Sequence, residues 1–209
     1  MTSSLLRRTG AIAALSLTLS LSLAACGSDD DKSAAKSDDT TSSTEPKAAD
    51  NAGADTFGEG CKLIPADGAG SFNGMATAPV ATAASANPLL KTLVSAVGEA
   101  GLVDTLNSAD ALTVFAPTDD AFGKIPADTL NGLLMDKKAL TTVLTHHVIA
   151  GKLSPDQLAG THETLAGDTI KVEGSDDNFT VAGANAKVLC GNIPTANATV
   201  YVIDTVLVP

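Results

Sequence analysis

Thr113-Val114-Phe115-Ala116-Pro117-Thr118-Asp119-Asp120-Ala121-Phe122 is the stretch on which the fold of this chain turns. Val114 and Phe115 are strand formers. Pro117 has no amide hydrogen and fixes its own φ, so the ladder stops there. Thr118 is placed to cap a helical turn begun by Asp119 and Asp120, whose adjacent side chains diverge and serve a helix start rather than an acid pair. A buried strand is thus handed to a short helix. The chain closes on Val200-Tyr201-Val202-Ile203-Asp204-Thr205-Val206-Leu207-Val208-Pro209. This run is too apolar for an edge strand facing water, so it is predicted to lie centrally in its sheet, with Pro209 ending its pairing. Asp204, a carboxylate inside that run, must find hydrogen-bond donors and is read as structural.

Upstream, Asn87-Pro88 reads as a helix opening, with Leu89, Leu90, Leu93, Val94 and Val97 on one face and Gly98 and Gly101 ending it. Leu102, Val103 and Leu106 suggest a second short helix. Pro126 and Asp128 open another, and Asp136 caps one that runs over Leu140, Val143 and Leu144 to His146-His147. Beyond Gly151 the pattern changes. Ser154-Pro155 starts one helical turn, and then His162–Leu165, Thr169–Val172, Phe179–Val181 and Lys187–Cys190 alternate as short strands between Gly, Asp and Asn clusters. Helices first and strands later indicate an α+β domain.

At the other end, Arg7 and Arg8 precede an apolar run from Ala11 to Ala25, the charged and hydrophobic regions of an export signal covering residues 1–25. Leu23-Ala24-Ala25-Cys26-Gly27 is the small-residue cleavage pattern that leaves an acylated cysteine, so Cys26 is the expected lipidation site. Residues 26–60 read as a tether with nine acidic residues against three lysines, net −6, and too little apolar surface to fold. Thr40-Thr41-Ser42-Ser43-Thr44 offers hydroxyls that can carry sugars. With Cys26 assigned to the lipid, Cys61 and Cys190 remain as one pair in an oxidising compartment, and a disulfide is expected. Residues 61–209 are one domain of ordinary size. Their 15 carboxylates, eight lysines and absent arginine argue against nucleic acid as a partner.

The strand-to-helix segment, Leu144-Thr145-His146-His147-Val148-Ile149-Ala150-Gly151-Lys152-Leu153 and the closing run occur in the order found in the fasciclin family. From Cys61 to Pro209 the chain resembles that family's domain. It is similar to the mycobacterial secreted immunogenic antigens and surface lipoproteins, on Pro88, Cys190-Gly191 and Thr195-Ala196-Asn197-Ala198-Thr199-Val200-Tyr201. The resemblance implies a β-wedge of short strands flanked by helices, and adhesion rather than catalysis. It also implies roles for particular residues. His146 stands where the family has a tyrosine implicated in adhesion, and His147 matches a histidine of the fold. Asn192-Ile193 stands where the family has an Asp-Ile adhesion pair, with Ile193 kept and the carboxylate replaced by an amide, which coordinates a divalent cation far more weakly.

Candidate binding residues are therefore His146, Asn192 and Ile193, and structural ones His147, Asp204 and Thr118. His146-His147 has only His162 to join it as a metal ligand, and no metal or cofactor is expected. No nucleophile elbow, HExxH, phosphate loop or CxxC is present, so the chain does not read as an enzyme. The expected function is a lipid-anchored protein at the outer face of the cell membrane, displaying one domain to a cell-surface or matrix protein or glycan, with a monomer favoured. The competing expectation is an envelope carrier of a lipid or other apolar ligand, held between Leu89, Leu93, Val97 and the closing strand.

Overall fold

The computed structural model describes residues 51–209. The export signal, Cys26 and Thr40–Thr44 lie outside the described residues. After a 3₁₀ turn at Glu59–Leu63 come α1 (Phe72–Ala76), α2 (Val80–Ala86), α3 (Lys91–Ala100) and α4 (Val103–Ser108). The middle of the domain holds β1 (Leu112–Pro117), α5 (Asp119–Gly123), α6 (Ala127–Met135), α7 (Lys137–His146) and β2 (Val148–Ala150). The last third is α8 (Pro155–Leu158), β3 (Gly160–Glu163), β4 (Thr169–Ser175), β5 (Asn178–Val181), β6 (Ala186–Pro194) and β7 (Ala198–Ile203).

The strand-to-helix switch forms as its residues dictate. β1 ends on Pro117, and Thr118 Oγ1 accepts from Ala121 N at 3.2 Å to open α5. Asp136 opens α7, its Oδ1 accepting from Lys138 N at 3.0 Å and Ala139 N at 3.1 Å. Gly101, at φ 72°, closes α3 in the left-handed conformation that only glycine adopts without strain, and Leu102 N–H reaches back to Val97 O at 3.0 Å. The helix expected from Asn87 starts later, at Lys91. Asn87 Oδ1 accepts from Leu89 N at 3.0 Å, so Asn87-Pro88-Leu89-Leu90 is a turn. The cap comes from elsewhere: Asp119 Oδ1 accepts from Thr92 N at 2.7 Å, tying α5 to the first turn of α3.

The seven strands follow the order β2-β1-β7-β6-β5-β4-β3. β1 and β7 run parallel in the centre, Leu112 opposite Ala198 through Pro117 opposite Ile203. The ends of the order then meet, since Leu165 N–H donates to Val148 O at 2.8 Å and Ile149 bridges Thr164. The closed wedge has two cores. Val114, Ala116, Val200 and Val202 face the helices, with Leu93, Leu140 and Leu144. Phe115, Tyr201 and Ile203 face inward against Leu158, Val172 and Phe179. Burial on both faces is why the two central strands are so continuously apolar.

Two expectations change. The closing strand stops at Ile203 rather than continuing to Pro209. Asp204 donates its N–H to Lys187 O at 3.1 Å and the chain leaves the sheet, sending Val206 into the helix-side core and Leu207 into the inner one. The tether does not extend to Gly60, because Phe57 exchanges hydrogen bonds with Gly191 (2.8 and 3.3 Å) and its ring packs 5.5 Å from Phe179 and 6.3 Å from Tyr201. Phe57 was the one large apolar residue of that segment, and burial recruits it.

The Cys61–Cys190 disulfide is present, joining the 3₁₀ turn to β6 across 129 residues. Beside it, Gly191 has no room for a Cβ, which would overlap the Phe57 ring. Gly191→Ala is expected to cost about 1–3 kcal/mol through overpacking, seen as a lower urea midpoint and a change in the environment of Phe57. An unchanged midpoint would show that the ring is not seated there.

Candidate functional site

His146 and His147 end α7, and their rings meet edge-on, 89° apart. They do different things. His147 is 2 % exposed. Its Nδ1 donates to Val143 O at 2.7 Å, satisfying a carbonyl that the end of the helix would otherwise leave open. Its Nε2 accepts from Leu207 N–H at 2.9 Å. Those two bonds define a neutral ring, and burial, with the neighbouring His146 adding to it, lowers its pKa to about 4 despite the Val143 bond. His147 thus joins α7 to the C-terminal segment.

His146 is not on an exposed loop. It is buried, with Nδ1 2.7 Å from Asp168 Oδ2. Asp168 sits in the turn between β3 and β4, where the Thr164 hydroxyl also donates to it. That hydrogen bond, helped by the His146 ring, outweighs burial and holds the Asp168 carboxyl below its ordinary value. A candidate adhesion residue is thereby engaged in an internal ion-pair geometry. Asp168 carries no sequence signal for this, because its partner lies 22 residues away and only the fold brings them together.

Ile193 is likewise not available to a partner: it is 1 % exposed and belongs to the helix-side core. Alternation explains this, since Ile193 pairs with Val200 across β6 and β7 and points inward. Asn192 occupies an irregularity in β6 at φ 57°, the left-handed conformation that asparagine tolerates. Its Nδ2 donates to Asp55 O at 3.0 Å, and the side chain stays half-buried. His146, at the end of α7, lies beside the β3–β4 turn, and Asn192, in β6, lies beside Asp55.

Asp204 stands at the end of β7 rather than within it. Its Oδ1 accepts from Lys187 N at 2.8 Å and Thr205 Oγ1 at 3.0 Å, and its Oδ2 lies 3.2 Å from Lys124 Nζ. Burial pushes its carboxyl up, but these donors, the Lys187 amide foremost, outweigh that and hold it below the ordinary value. Among the described residues no three His, Cys, Asp or Glu side chains converge as a metal ion requires. His162 is turned to Leu158 O at 2.9 Å.

Between α2, α3, α4, α7 and β1 lies an apolar cavity of about 70 Å³, lined by Val80, Leu93, Val97, Leu106, Val114 and Leu144 among others. This is far below the roughly 300–1,000 Å³ of sites that enclose a small-molecule cargo. It is not the groove expected between Leu89, Leu93, Val97 and the closing strand; against that strand lies a smaller void of about 30 Å³, lined by Leu90, Leu93, Val200 and Val202 among others.

A family model described as the fasciclin domain matches residues 88–209. The chain is 51% identical over 164 residues to the cell surface glycolipoprotein MPB83 of Mycobacterium bovis, covering 75% of this chain and 73% of that protein. It is 46% identical over 166 residues to the immunogenic protein MPB70 of the same species, covering 76% and 84%. Among solved structures, the FAS1 domain pair of the insect cell adhesion molecule fasciclin I is 22% identical with a TM-score of 0.48, over 58% of this chain and 46% of that one. On the family match and these relatives, this chain belongs to the fasciclin family.

Proposed function

We propose that this chain is an exported surface protein, anchored by lipid on Cys26 after removal of residues 1–25, that displays its fasciclin domain to bind protein or glycan partners in adhesion. The observation that carries the reading is the 51% identity to a cell surface glycolipoprotein over three quarters of the chain, taken with the cleavage pattern Leu23-Ala24-Ala25-Cys26. The residues up to about Asn51 then act as an acidic spacer, and Thr40–Thr44 carries sugars in the manner suggested by the relative's name. The closed wedge supports the reading as a rigid frame on which surface loops meet a partner. Of the three adhesion candidates, His146 and Ile193 are buried and Asn192 is half-buried, and the partner surface is sought around Asn192 and Asp55.

Cys26→Ala is expected to move the protein from the membrane fraction to the medium with its domain still folded. Cells bearing the variant are expected to lose the attachment to immobilised matrix proteins or glycans that cells with the native chain show. A variant that still pellets with membranes after high-salt washing refutes the anchor. Attachment equal to that of cells lacking the gene, with the native protein on the surface, refutes the adhesive role.

A further inference from the structure

We propose that the apolar cavity beneath α4 receives the methyl end of a single acyl chain. The lining is almost wholly apolar: its polar side chains are His147, Thr145 and, at the exposed surface of α4, Thr105. His147 has both ring nitrogens engaged, with Val143 O and Leu207 N. Thr145 Oγ1 donates to Thr141 O at 2.8 Å and Thr142 O at 3.1 Å. Burying a peptide amide or a sugar hydroxyl there would break hydrogen bonds to water without replacing them. A hydrocarbon end loses none.

The mouth is built for the same guest. Val103 and Leu165 line the cavity and remain 38% and 46% exposed, so apolar surface runs continuously from solvent to interior. α4 roofs the cavity yet has no buried residue of its own. It is held at its C-terminal half, where Asn107 Oδ1 accepts from Ala81 N at 3.0 Å and Asn197 Nδ2 donates to Leu106 O at 2.8 Å. At the Val103 end the tie is a single backbone bond, from Leu102 N–H to Val97 O at 3.0 Å. At about 70 Å³ the space is roughly half of the ~150 Å³ that takes a benzene ring in an engineered cavity, which suits a few terminal carbons rather than a whole lipid. The remainder of the chain and its headgroup lie outside, over Val103 and Leu165.

The test uses the full chain and palmitate carrying a diazirine at its methyl end, given free in solution or as the tail of phosphatidylcholine in vesicles. Photolabelling is expected to be competed by unlabelled palmitate and to map to α4 and its neighbours. Two variants are compared: Ala84→Leu, which fills the cavity, and Leu165→Asp, which alters only the exposed rim. Both are expected to reduce labelling at least tenfold, and the thermal midpoint of Leu165→Asp is expected to match the native one. Labelling from free palmitate alone supports the proposal with a fatty acid as the source, and labelling from vesicles alone supports it with a bilayer lipid. Absence of competed labelling from both sources overturns it, as does labelling unchanged in a folded Leu165→Asp or mapped away from α4.

Discussion

Replacing Cys61 and Cys190 together with serine is expected to lower the thermal midpoint by about 10–20 °C. The bridge closes a loop with a sequence separation of 129. In the chain-entropy model a loop of that length removes enough freedom from the unfolded chain to contribute about 5 kcal/mol. For a domain of this size each kcal/mol moves the midpoint by about 2–4 °C. The local structure adds a reason for a large effect: the 3₁₀ turn carrying Cys61 has no buried residue, so besides the covalent bond only the Phe57 pairing and the close approach of Gly58 and Gly60 to Leu189 hold it to β6. The measurement is calorimetry of the native chain, the double variant, and the native chain with reductant. A shift below about 3 °C in both altered samples would mean that the unfolded chain gains little freedom from losing the bridge.

His147 gives the second large effect, through pH. Its ring is neutral in the folded state, with a pKa lowered by burial to about 4, while in the unfolded chain it titrates near its ordinary 6.5. Between those values the unfolded state binds a proton that the folded state refuses, so stability falls as pH drops from 6.5 to 4 and is level above. The loss over that window is about 3 kcal/mol, at about 1.4 kcal/mol per pH unit. The structural cause is the Leu207 amide: a protonated Nε2 cannot accept from it, so charging the ring ejects the C-terminal segment from the inner core. Asp168 and Asp204, whose carboxyls are both held low, add their own losses at still lower pH. Urea midpoints from pH 7.5 to 4.5 measure the fall. The same series on His147→Gln is expected to start lower and lose most of the slope between pH 6.5 and 4.5. A His147 ring that titrates near 6.5 by NMR in the folded protein would contradict the assignment.

Much of the fold was legible because its signals are local. Pro117 stopping a strand, Thr118 and Asp136 capping helices, and alternation after Gly151 each depend on neighbours a few residues away. The helices Phe72–Ala76 and Val80–Ala86 carry no such signal, both being short and without a long apolar period, and the second being rich in alanine. β2 was hidden inside a segment whose preceding helix runs almost into it, from His146 to Val148. The site was less legible for a different reason. His146 meets Asp168, His147 meets Leu207 and Asp119 meets Thr92 across 22, 60 and 27 residues, and such pairings follow from the closed sheet, which no local pattern encodes. Ile193 shows the cost of carrying a role over by motif alone: its place in the strand alternation buries it, whatever a counterpart does elsewhere.

Tension applied between a membrane tether and a bound partner would enter the folded unit from its N-terminal side. Among the described residues the first ties it meets are the bonds of Ala52 N–H to Asn73 Oδ1, Asn192 Nδ2 to Asp55 O and the Phe57–Gly191 pairing, which yield by opening hydrogen bonds in succession. The next is covalent. Through Cys61 and Cys190 the load passes directly to β6, beside the parallel β1–β7 pair at the centre of the sheet, without first unravelling the helices that lie between the two cysteines in the chain. The disulfide thereby makes the domain a mechanical short circuit: only residues up to Cys61 can be drawn out from that end, and the two cores behind it stay intact under a pull that would peel an unbridged chain helix by helix.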